Sequence, residues 1–196
     1  MKTKDYKEKY SKKVKKKPIK NKKNVDHKWI LIVTIAAFLI SVGFSFASEL
    51  IMPNATAIIA VITILLFIGI GILFDIIGIA ITVADISTFN SMATKRVRGA
   101  NIAVKLIGKS EKAASFCNDV IGDICGIISG SAGVALAAII SNKYNIDILI
   151  VTLIITGIIA ALTIGGKAIG KHFAINKSTV ILYNFSKVLS LFYYGK

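Results

Sequence analysis

Four apolar stretches, 29–52, 56–85, 113–140 and 146–169, make up most of this chain, and each is long enough to cross a bilayer at about 20 residues per span. A bilayer interior leaves backbone groups no water to bond, so such stretches become helices or strands of a closed barrel. Runs of this length and apolar density read as helices. Hydrophobic residues are 55% of the 196, outside the range of ordinary soluble domains. The expected fold is therefore an all-α integral membrane protein with about four transmembrane helices. Set into the second and third stretches, or at their edges, are four carboxylates: Asp75, Asp85, Asp119 and Asp123. A carboxylate at bilayer depth is costly, so each needs a protein interior, water or a cation.

The net charge of +15 is segregated. Residues 1–28 hold 13 lysines against Asp5, Glu8 and Asp26. Such a run cannot bury a core, and a disordered basic tail is expected. Its simplest partner is the anionic headgroups of membrane lipid. Nucleic acid is not expected as a partner, because the tail offers only Tyr6 and Tyr10 as aromatics and no binding fold. Lys and Arg also set orientation. The tail, the linker with Lys95, Arg96, Arg98, Lys105, Lys109 and Lys112, and the segment after the fourth stretch are all basic. The two other connections share one basic residue, Lys143. Both termini are thus expected in the cytoplasm of a bacterial cell, with the chain multi-pass in the inner membrane.

The expected organisation is a tail (1–28), an uncleaved N-terminal anchor (29–55) turning at Pro53-Asn54, a transmembrane domain (56–175) and an interfacial amphipathic C-terminal segment (176–196). Ile102, Val104, Leu106 and Ile107, set among basic residues, predict a short basic juxtamembrane helix. Cys117 and Cys125 are eight residues apart on one helix, too far to bridge, and read as small buried residues. No nucleophile-and-base pair, phosphate loop or zinc spacing is present, so no enzyme and no cofactor are expected.

Projected on a helical wheel, Gly71, Asp75, Gly78, Thr82 and Asp85 share one face. So do Ser115, Asp119, Gly122, Asp123, Gly126, Gly130 and Gly133, and so do Thr152, Thr156, Thr163, Lys167 and Gly170. Gly126, Gly130 and Gly133 are expected to serve close helix packing. Two arrangements would satisfy the carboxylates. In one, Asp75, Asp119 and Asp123 converge with Thr82 and Asn118 on a hard cation such as Mg2+, which takes oxygen ligands. In the other, Lys167 neutralises one aspartate and the rest are protonated or hydrated.

The order of parts resembles the transmembrane domain of the CorB/CorC magnesium and cobalt transport proteins and their cyclin M (CNNM) relatives. Thr82-Val83-Ala84-Asp85 stands where that family has a Ser-Ala-Ser-Glu-like motif. Arg98-Gly99-Ala100-Asn101-Ile102-Ala103-Val104-Lys105-Leu106 is similar to its Arg-Gly-Ala-x-x-Ala-Leu-x-Leu stretch, and Ser110-Glu111-Lys112 to its Pro-Glu-Arg-like turn. Cys117-Asn118-Asp119-Val120-Ile121-Gly122-Asp123 lies where the family has Ile-Gly-Asn-Asn, and Gly166-Lys167-Ala168-Ile169-Gly170-Lys171 where it has Gly-Glu-x-x-Pro-Lys. The last places a lysine, Lys167, where the family carries an acid. The resemblance spans residues 65–175. It implies a homodimer, a bound Mg2+ and cation contacts at Thr82, Asp85, Asn118, Asp119 and Asp123; Asp75 joins the set from its place on the Thr82 face. It also implies divalent cation transport or homeostasis. The alternative is a transport-inactive membrane scaffold whose buried aspartates are neutralised by Lys167. A membrane-perturbing, holin-like protein would suit the tail but not the aspartates or the long basic linker.

Overall fold

The computed structural model describes residues 27–51 and 56–192. The Lys-rich tail before residue 27 and the Pro53-Asn54 turn, both singled out above, lie outside the described residues. The chain divides into two units, 1–31 and 32–196. Of the first, the described part is the opening turn of helix α1 (His27–Ile51). The remainder of this subsection concerns the second unit.

After α1 come α2 (Ala57–Val83), α3 (Ile86–Thr94), α4 (Ala100–Gly108) and α5 (Ser110–Ser115). A seven-residue π-helical segment, Phe116–Gly122, joins α5 to α6 (Asp123–Tyr144). Helices α7 (Ile148–Asn176) and α8 (Ser178–Phe192) follow. The protein is thus all-α, with four helices among the described residues long and apolar enough to cross a membrane: α1, α2, the continuous α5–π–α6 rod (hereafter the rod) and α7. It is a multi-pass membrane protein. Leu65, Leu66, Leu73, Leu153, Ile154 and Ile164 are exposed, as side chains that face acyl chains rather than water would be.

Local chemistry explains where the helices stop. Asp85 caps α3, accepting from the Ser87 N–H at 3.0 Å, and Asp147 caps α7, accepting from Leu149 N–H at 2.8 Å. Asn145, at φ 53°, takes the left-handed conformation that ends α6. Ser141 Oγ closes that turn by donating to the Ile146 carbonyl at 2.7 Å. The basic linker holds two helices, the predicted one, α4, and α3 before it.

Helix α2 is central and packs against the rod, α7 and α8. Away from the basic loops, Ala60, Ile64 and Ile68 of α2 meet Ala132 and Leu136 of α6 and Ile159 of α7. At the basic end Ile81, Ala84, Phe89, Ala103, Cys117 and Leu182 form a second core, built from α2, α3, α4, the π segment and α8. Within the second unit, α1 lays Val33, Ala37 and Ile40 on Val120, Ile124 and Ile128, and Phe44 meets Phe67 edge-on at 5.9 Å.

Helix α8 is docked on its own chain through Leu182, Ser186 and Ser190, buried at spacings of four, while Val188 and Leu191 stay exposed. Its seat is Gly99, whose φ of 85° few other residues tolerate. A Cβ there would lie 2.9 Å from Lys187 N and 3.0 Å from Lys187 Cα. Backbone meets backbone at this point, which is why the turn between α3 and α4 needs a glycine.

Candidate polar layer between three spans

Most polar groups on the spans are consumed by their own helices. Thr156 Oγ1 donates to the Thr152 carbonyl at 2.7 Å, Thr163 Oγ1 to Ile159 at 2.8 Å, and Ser129 and Ser131 likewise donate one turn back. Thr82 Oγ1 donates to the Ile79 carbonyl at 2.8 Å and the residue is exposed. Asp85 is spent on its cap, taking the Ser87 N–H, the Ser87 hydroxyl and, at 3.2 Å, the Thr88 hydroxyl. Those hydrogen bonds, the Ser87 hydroxyl first, hold its carboxyl below the usual carboxylate range. Asp119 accepts from the Ser115 hydroxyl one turn earlier and is exposed, as is Asp123.

Three polar residues singled out in the sequence remain, Asn118, Asp75 and Lys167, and glycines shape the seams around them. Gly78 of α2 is buried because the Asn118 side chain lies directly on it; a Cβ at Gly78 would collide with the Asn118 amide. Two turns earlier, a Cβ on Gly71 would lie 3.2 Å from Cys125 Cβ and 3.6 Å from the Gly122 carbonyl oxygen. On the side towards α7, Gly166 and Gly170 receive Ile72 and Ile76 of α2. Asp75 therefore falls, by helical geometry, between the α2 stripe that meets the rod (Gly71, Gly78) and the stripe that meets α7 (Ile72, Ile76). It is half-buried in that seam. Lys167, also half-buried, brings Nζ to 3.6 Å from where a Cβ on Gly122 would be.

These contacts put residues 71–78 of α2, 118–125 of the rod and 166–170 of α7 at one level. We call it the polar layer. Its defining atom is Asn118 Oδ1, which is buried without a hydrogen-bond partner among the described residues. An unpaired buried acceptor costs about 1–3 kcal/mol, so it marks a place built for a donor or a cation. Asn118 belongs to the π segment, where i→i+5 bonding widens the helix and displaces its side chains from α-helical register.

The sequence-derived contact set is thus divided. Asn118 and Asp75 enter the layer together with Lys167. Asp119 and Asp123 lie on the exposed side of the rod, and Thr82 and Asp85 are engaged at the end of α2. Among the described residues no three His, Cys, Asp or Glu side chains gather as a metal cluster, and no ion pair joins Lys167 to Asp75, Asp119 or Asp123. One expectation about packing is corrected. Gly133 does receive a neighbour, Ile159, but a Cβ on Gly126 or Gly130 would meet nothing within 4 Å. Gly126 and Gly133 are two turns apart on one face, so α7 approaches that face closely at the level of Gly133 and not at those of Gly126 and Gly130. Close packing is carried instead by Gly71, Gly78, Gly166 and Gly170. Gly78 as the seat of Asn118, and the π segment itself, went unread; the Gly71/Gly78 spacing pointed to the first, while no residue pattern announces the second.

No protein-family model matches this chain, and no curated protein or solved structure matches it significantly, so the polar layer stands on its own geometry.

Proposed function

We propose that this chain is a CorB-type membrane protein of divalent cation (Mg2+ or Co2+) transport or homeostasis, and that its ion is handled in the polar layer. The observation that carries the reading is Asn118 Oδ1, a buried amide oxygen without a donor, in the same seam as the Asp75 carboxylate. Oxygen ligands of this kind suit a hard cation that keeps part of its water shell. The order of elements adds support: a span followed by Asp85, short helices in a basic linker, a polar span, then a span that carries Gly166-Lys167. In this reading the protein sits in the bacterial inner membrane with both termini cytoplasmic and acts as a homodimer.

The scaffold reading requires Lys167 to neutralise the aspartates. The lack of an ion pair between them among the described residues weighs against it.

The test is the melting temperature of the purified protein in detergent as a function of Mg2+. A ligand bound only by the folded state adds RT ln(1 + [L]/Kd), about 2.7 kcal/mol at 100 Kd. A Mg2+-specific rise that Asn118→Ala and Asp75→Asn each abolish is expected. A rise unaffected by either substitution would remove the layer from the mechanism.

A further inference from the structure

We propose that the Lys167 ammonium is a tethered occupant of the polar layer that a divalent cation must displace in order to bind. The inference rests on the cation reading above and adds to it a built-in competitor. Three observations carry it. First, the ammonium is placed against the rod where a side chain is missing: Nζ is 3.6 Å from the would-be Cβ of buried Gly122. Second, α7 is drawn onto α2 on either side of it, with Gly166 and Gly170 receiving Ile72 and Ile76, so the lysine stem is held at the level of Asp75 and Asn118. Third, no carboxylate among the described residues holds the ammonium in an ion pair, so leaving the layer breaks no salt bridge.

A free divalent ion at Asn118 Oδ1 and Asp75 would share this low-dielectric layer with the like charge of the ammonium, which is unfavourable. One of the two must leave. Lys167 is four residues, one turn, before the exposed Lys171 at the basic end of α7, and a flexible four-carbon stem can carry an ammonium outward to water. Cation entry is therefore coupled to withdrawal of Lys167, and the wild-type protein binds cations more weakly than its oxygen ligands alone would.

The experiment titrates the full chain in detergent with Mg2+, reading the melting temperature for wild type, Lys167→Met, Lys167→Gln and Lys167→Arg. Removing the charge should lower the half-saturating Mg2+ concentration about tenfold or more in the Met and Gln variants. The Arg variant, which keeps the charge, should stay at or above the wild-type value. Lys167→Gln carries the test if Lys167→Met does not fold. A silent wild type with a responsive Met or Gln variant supports the proposal most strongly. If wild type responds and Met and Gln titrate where it does, or if Arg behaves as they do, the competitor role is overturned while the cation reading stands. If no protein responds, both fall.

Discussion

Single atoms decide what this chain tolerates at the polar layer. Gly78→Ala must push the Asn118 amide off its seat, at a cost of about 1–3 kcal/mol for overpacking a close contact. Thermal unfolding should show that loss, and the substitution should also remove any Mg2+ response, since the acceptor would no longer point into the seam. Asp85 behaves differently because it is an exposed cap. Its carboxyl is held below the ordinary carboxylate value of 3.8 by Ser87 and Thr88. A lowered folded-state pKa contributes stability that is present above the unfolded value and is lost as pH falls through the folded one. Fraying of the start of α3, followed by hydrogen exchange at Ser87, should therefore increase below about pH 4, and Asp85→Ala should abolish that dependence. Sequence reading singled out Asp75, Asn118 and Lys167 as residues needing explanation, because charge and amide are rare in apolar helices. It could not separate them from Asp85 or Asp119, whose partners Ser87 and Ser115 are nearby polar residues that look alike on a wheel.

At the scale of whole helices, glycines sort into seats and gaps. Gly99→Ala forces a side chain into the left-handed region and against the α8 backbone, and should cost about 2 kcal/mol or more. Gly126→Ala and Gly130→Ala fill open space and should leave the monomer's stability unchanged or raise it by up to about 1 kcal/mol through helix propensity. Melting temperatures of the three variants side by side check the distinction. The presence and approximate places of α1, α2, the rod and α7 were legible because apolar runs at bilayer length have few alternatives, whereas the continuation of α7 to Asn176 was not. Which glycine meets a neighbour was not, since that depends on how adjacent helices cross, and the crossing is set by side chains distant in sequence, such as Ile72 against Gly166.

On the scale of the molecule, two of the three apolar cores among the described residues tie α2 to its neighbours at opposite ends. One, between α2, α6 and α7, is made of aliphatic side chains only. The other, at the basic end, draws in α3, α4 and α8 and includes Phe89 and Leu182, both fully buried. Leu182→Ala should destabilise by about 2–5 kcal/mol, and limited proteolysis should then cut first in the α3–α4 region. The charge pattern from Lys95 to Lys112 marked the linker off from the spans on either side of it. It said nothing of α8, whose partners lie some eighty residues earlier and whose buried face holds Ser186 and Ser190 beside Leu182. That separation has a consequence for the order in which the protein is made. Gly99 leaves the ribosome long before Ser186 and Lys187 exist, and two further spans must be handed to the bilayer in between. The turn between α3 and α4 therefore waits, with its backbone uncovered, until synthesis has passed α7, and the basic end closes only after the two intervening spans have been inserted.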